Sequence, residues 1–183
     1  LFVQGWRVSE VLGLAWEDVD VDAGVAIVHR AAVEVAGGGR ALGPPKTAGA
    51  RGQHHLAAGV VQRLAAWREV QASERAAARS AWTPHTYEGR SISPVFTKPD
   101  GGLVARQQID KLIRRAAADA GIADTTRLGT HVGRRSVVTG LYVDGTELGD
   151  IARHVGHASP ATTAGYVAHL GDRPIRTAQR AAA

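Results

Sequence analysis

Between residues 130 and 166 the sequence sets out side chains suited to handling a phosphate: His131 and Arg134, then Gly156-His157, then Tyr166 nine residues further on. A three-residue spacing puts His131 and Arg134 on one face of a helix, where imidazole and guanidinium can reach the same anion. A guanidinium grips phosphate through two parallel hydrogen bonds, and an imidazole titrates near neutrality, so the pair could hold a phosphate and move its proton. Tyr166 adds a hydroxyl where a nucleophile could approach. Phosphoryl transfer to a tyrosine makes definite demands. The phenol, with an ordinary pKa of about 10, needs a proton acceptor as it attacks. The departing oxygen needs a proton, and the non-bridging oxygens need cations that cannot neutralise themselves, which arginine supplies.

These groups need a frame, and hydropathy patterning outlines one. Residues 1–14 carry Leu1, Val8, Val11, Leu12 and Leu14 at roughly helical spacing, with Arg7 and Glu10 three apart as a local ion pair. Residues 16–22 read as a polar turn anchored by Trp16. Alternation of apolar side chains at 25, 27, 31, 33 and 35 reads as a strand, Gly37-Gly38-Gly39 as a hairpin turn, and Arg40 to Leu42 as the returning strand. Pro44-Pro45 leads to Lys46, and Gly52-Gln53-His54-His55-Leu56 reads as a polar edge strand. A long helix runs from 57 to about 80, with Ala57, Val60, Val61, Leu64 and Ala65 as its apolar stripe. Residues 82–93 are loop-like, and 95–97 form a short strand before a Pro-Asp-Gly-Gly turn.

The remaining segments are helical. Ile109, Leu112, Ile113, Ala116, Ala117 and Ala120 make one stripe, opposite Arg106, Lys111, Arg114 and Arg115, and Gly121 ends the helix. The helix of His131 and Arg134 buries Val137, Val138 and Leu141, with Gly140 allowing close packing. Thr146 reads as the cap of a helix whose core residues are Leu148, Ile151, Ala152 and Val155. Ser159-Pro160 is a helix start that places Tyr166 about two turns in. Residues 170–183 form a polar, basic tail.

Bulk properties narrow the class. A chain of 183 residues fits one domain, and 44% apolar with 21% charged residues is ordinary for a globular protein. No apolar run has the length of a membrane span. Zero cysteines exclude disulfides, thiolate-bound zinc and thiol catalysis, and suit the cytoplasm. The net charge of +5 suits a polyanionic partner. The His54-His55 and His154/His157 pairs lack further metal ligands nearby. A start at Leu1, with no methionine anywhere, reads as a fragment whose natural N-terminus is missing.

QGWRVSEVLGLAWEDVD near the start, PPKTAGAR in the middle and THVGRR…HVGH…Y towards the end resemble, in order, the motifs of the tyrosine recombinase (phage integrase) family. The likeness spans residues 1–169 and implies that family's catalytic domain: a mixed α/β, mainly α-helical fold with a small antiparallel β-sheet carrying Lys46. It implies site-specific cleavage and rejoining of double-stranded DNA through a 3′-phosphotyrosyl intermediate, without metal or nucleotide cofactor, by a homotetramer on DNA. In that scheme Arg7 and Arg134 clamp the phosphate, Lys46 protonates the leaving oxygen, His131 assists proton movement, His157 donates to the phosphate and Tyr166 attacks. Arg51, Arg106 and Arg135 become candidate DNA contacts, and a core-binding domain is expected upstream. Two departures stand out: Val132-Gly133 where relatives carry Asp-Leu, and His169 three residues after the tyrosine instead of two. A type IB topoisomerase-like relaxing enzyme and a non-catalytic DNA-binding relative are the alternatives.

Overall fold

The computed structural model describes residues 3–46, 52–157 and 159–168. Helix α1 (Val8–Leu12) is shorter than the expected helix over 1–14. Gly5 sits at φ +66°, Arg7 is extended at ψ 145°, and the Glu10 carboxylate accepts the Arg7 backbone N–H at 2.8 Å, which marks the helix start. A 3-10 turn over Trp16–Asp18 then leads into β1 (Val19–Asp20) and β2 (Val25–Val28). β5 (Gly52–His55) pairs with the other side of β2, so the sheet runs β1-β2-β5, antiparallel throughout, with Val25 opposite His55 and Val28 opposite Gly52. The polar edge strand expected at 52–56 therefore forms.

The single strand expected over 25–35 breaks at His29-Arg30. Its second half, β3 (Ala31–Glu34), pairs with β4 (Arg40–Gly43) in a separate hairpin. The break has a physical cause: Arg30 is drawn to Asp18, Nη1 to Oδ2 at 2.9 Å with both side chains buried, and its guanidinium lies 5.4 Å from the Tyr87 ring centre. The fully buried positions of β2 are Ala26 and Val28, while Val25 and Ile27 are half-buried. Lys46 lies in coil past β4, not on a strand.

Helix α2 (Ala58–Ala78) lays Leu64, Val60, Val61 and Trp67 on a core of Trp6, Leu14, Ala26, Val28, Leu56 and Val95, whereas Ala57 and Ala65 are exposed. Gln71 locks that packing: it accepts from the Trp16 indole at 2.6 Å and donates to Val95 O at 3.0 Å and Thr97 Oγ1 at 2.8 Å. Residues 82–93, expected as loop, contain a hairpin of β6 (His85–Tyr87) and β7 (Arg90–Ile92). Its two-residue turn, Glu88-Gly89, has positive φ at both positions, the geometry that matches strand twist. The mixed polar sequence hides it. Residues 95–97 supply a single isolated bridge, Thr97 to Leu103.

Four helices complete the described chain: α3 (Arg106–Asp119), α4 (Thr130–Val143), α5 (Leu148–Val155) and α6 (Pro160–Val167). α4, α5 and α6 pack around Val138, Ile151, Val155 and Val167, with Tyr166 and Val137 on the flank. Each buried aliphatic side chain there is worth roughly 1.5–3 kcal/mol. α3 caps its neighbour, because Asp110 Oδ1 accepts the Thr130 backbone N–H at 2.7 Å. Two expectations fail here. The cap residue of α5 is Glu147, not Thr146. Gly140 is exposed with nothing within 4 Å of a Cβ placed there, so the buried glycine of α4 is Gly133. The tail, residues 170–183, lies outside the described residues.

Candidate active site

The site is built outward from Arg134, which is 2% exposed on the first turns of α4. Its Nη1 donates to the Gly5 carbonyl at 2.9 Å and its Nε donates to His157 Nε2 at 3.2 Å. Nη2 is buried with no hydrogen-bond partner among the described residues. A buried guanidinium with one donor unmet is costly, so this arrangement needs a compensating role. Gly5 makes it possible. A Cβ at Gly5 would lie 2.9 Å from Val155 Cγ1 and 3.2 Å from Val137 Cγ1, and its φ of +66° suits glycine. Only glycine lets the segment leading to α1 lie against α4 and α5, and so bring Arg7 beside Arg134.

Arg7 is held by Glu10, Nη1 to Oε1 at 2.8 Å, with the carboxylate nearly buried and the arginine about a quarter exposed (24%). Burial and the neighbouring Arg7 lower the pKa of Arg134, while Glu10 and the Tyr166 hydroxyl support its charge.

His157 reaches Arg134 because of the turn before it. Gly156 is left-handed (φ 69°, ψ 43°), and the end of α5 closes with His157 N–H on Ala152 O at 2.8 Å and Gly156 N–H on Arg153 O at 3.3 Å. This glycine-dependent helix end turns His157 back under α4. The ring is buried, its Nδ1 lies 2.8 Å from Thr163 Oγ1, and its centre lies 5.1 Å from that of Tyr166 at an interplanar angle of 38°. Burial first, then Arg134 and Arg7, push the His157 pKa down to about 4, so the ring is neutral at physiological pH. Arg134 Nε can only donate, so His157 Nε2 acts as an acceptor here; the expected phosphate donor is occupied with the arginine.

Tyr166 stands half-buried on the second turn of α6, which Ser159 and Pro160 begin as expected, although the serine hydroxyl makes no cap bond. Arg7, Arg134, His157 and Tyr166 thus converge. Among the described residues, no hydrogen bond or ion pair joins the other two expected members to them. His131 is exposed on the first turn of α4 and makes no side-chain hydrogen bond among the described residues. Lys46 is exposed and lines a groove with Ser9, Arg40, Pro44 and Arg106. Arg106 faces Asp110 at 3.5 Å, Arg135 is exposed beside Arg134, and Arg51 lies outside the described residues. No cluster of three or more His, Asp or Glu able to hold a metal ion occurs among the described residues. Gly5, Asp110 and Thr163 went unassigned from sequence; for Gly5 the signal was its place two residues before Arg7.

The model of the phage integrase family matches residues 1–173, and the chain belongs to that family, the tyrosine recombinases. No curated protein matches significantly. Among solved structures it is similar to the Tn1549 transposon integrase in complex with a circular intermediate DNA, at TM-score 0.75 and 20% identity, over 100% of this chain and 56% of that one. XerA recombinase aligns at TM-score 0.63 and 22% identity, over 98% and 55%. XerH site-specific recombinase bound to palindromic difH aligns at 0.61 and 20%, over 97% and 42%. The fold is therefore that of a tyrosine recombinase catalytic domain, and the chain spans about half the length of these solved proteins.

Proposed function

We propose that this chain cleaves and rejoins duplex DNA in site-specific recombination, with Tyr166 as the nucleophile. The observation that carries the reading is the buried Nη2 of Arg134, without a hydrogen-bond partner among the described residues, beside Arg7 and within electrostatic reach of Tyr166. A scissile phosphate offers the anion that this cationic pair lacks, and fixed cations favour the charge that builds on its non-bridging oxygens. The Tyr166 oxygen forms a bond to phosphorus as the bond to the 5′ oxygen breaks, leaving a 3′-phosphotyrosyl link. The phenolic proton leaves towards His131, and Lys46 gives a proton to the 5′ oxygen; both side chains are exposed, where a bound DNA strand can meet them. Religation reverses each transfer, so no external energy source is needed.

The partner in this reading is double-stranded DNA, gripped as a tetramer of this protein in the bacterial cytoplasm, on the nucleoid. Arg51, Arg106 and Arg135 contact the phosphate backbone, and a segment outside this chain completes the grip. The test uses the intact protein and a pool of nicked duplexes of randomised sequence, in which a cleaved strand cannot be resealed. Denaturant-resistant protein–DNA adducts attached through the DNA 3′ end support the proposal. Sequence-selective binding without any adduct supports a non-catalytic DNA-binding relative instead.

A further inference from the structure

We infer that Thr163 is a positioning residue for DNA cleavage: its buried hydroxyl accepts the His157 Nδ1–H, stabilises the tautomer that Arg134 requires, and so helps hold Arg134 towards the phosphate. The inference rests on the phosphoryl-transfer reading above and adds a role for a residue that the scheme leaves unassigned. Thr163 is 0% exposed on the inner face of α6, three residues before Tyr166. Its Oγ1 is the sole polar atom among the described residues within hydrogen-bond distance of His157 Nδ1, at 2.8 Å.

The donor and acceptor roles follow by elimination. Arg134 Nε–H can only donate, and it points at His157 Nε2 from 3.2 Å, so Nε2 must present its lone pair. A neutral ring then carries its hydrogen on Nδ1, which donates to Thr163 Oγ1. The opposite tautomer would set an N–H on Nε2 against the arginine N–H. Arg134 thus sets the tautomer, and the Thr163 hydroxyl stabilises it by accepting the Nδ1–H, which a methyl in its place would leave buried and unpaired. With Nε held by His157 and Nη1 by Gly5, the guanidinium plane is fixed at two points, and Nη2 is the donor left for substrate. Thr163 thereby acts through His157 on Arg134 without touching the phosphate.

The test compares wild type with Thr163→Val, which keeps the shape and removes the hydroxyl, and with Thr163→Ser, which restores it. In 15N-labelled intact protein, ring-nitrogen correlations should show His157 protonated on Nδ1 in wild type and Thr163→Ser. Thr163→Val should shift population to the Nε2-protonated form. On nicked duplexes recovered as adducts, Thr163→Val should slow cleavage at saturating DNA about five- to tenfold, the size of one lost net hydrogen bond, with DNA affinity unchanged. Thr163→Ser should return within about threefold of wild type. Wild-type His157 protonated on Nε2 overturns the inference, whatever the activity. So does a Thr163→Val protein that keeps both tautomer and rate, or a Thr163→Ser protein as slow as the valine variant. Absence of any wild-type adduct would count against the cleavage reading instead, and the tautomer measurement would still judge this one.

Discussion

Lowering the pH from 7.5 to 5 should cost the fold about 2 kcal/mol through His157 alone. The ring's pKa is about 4 when folded, against an ordinary value of 6.5, because burial and two arginines oppose a charge on it. The unfolded chain therefore binds the proton more readily. The stabilisation from keeping this ring neutral is complete above about pH 6.5 and is lost as pH falls towards 4. At pH 5 the unfolded imidazole holds nearly a whole proton and the folded one only about a tenth, which gives the ~2 kcal/mol. His54 and His154 are also lowered by burial and lose stability in the same direction, so the wild-type slope alone does not isolate His157. His157→Gln does. A glutamine carbonyl can accept the Arg134 Nε–H, yet it does not titrate. Urea unfolding of both proteins at pH 7.5 and pH 5, followed by tryptophan fluorescence, should show the variant losing about 2 kcal/mol less than wild type. Equal losses would mean that His157 is not held neutral by Arg134 and its burial.

Arg134→Lys should slow cleavage by roughly a hundredfold or more, because one ammonium cannot serve the Gly5 carbonyl, His157 and the phosphate together; single-turnover adduct formation measures it, and near-normal cleavage would remove Arg134 from the clamp. Arg7→Lys should be impaired on a similar scale although lysine can keep the ion pair with Glu10, so tolerance of lysine would reduce Arg7 to that pair. Asp110→Ala should destabilise the fold by about 1 kcal/mol, the value of a lost helix cap, seen as a lower urea midpoint; an unchanged midpoint would mean that the α3 to α4 capping bond carries no weight.

The ordered motifs made the fold and four convergent side chains legible. Arg7, Arg134, His157 and Tyr166 carry chemistry at spacings that local turns then realise: Gly156 for His157, Ser159-Pro160 for Tyr166. Elsewhere the pattern misled for physical reasons. The alternation over 25–35 hid a break that the buried Arg30–Asp18 pair imposes from 12 residues away. The β6–β7 hairpin has too few apolar residues to show a period. Gly140 suggested close packing, yet helix faces are settled by what neighbouring helices cover, and α4 turns Gly133 inward instead. The tautomer of His157 was beyond sequence because it depends on one 3.2 Å contact between segments 23 residues apart.

Comparison of wild type with Tyr166→Phe decides whether Tyr166 forms the covalent link to DNA. Both proteins are incubated with the same nicked duplexes, covalent adducts are counted after denaturation, and the adducted peptide is identified by mass spectrometry. Removing one half-buried oxygen barely alters packing or charge, so DNA affinity should stay within about twofold while adduct formation disappears. The wild-type adduct should map to the peptide containing Tyr166. Adduct at wild-type yield in Tyr166→Phe, or a link mapped to Tyr87 or Tyr142, would contradict the account.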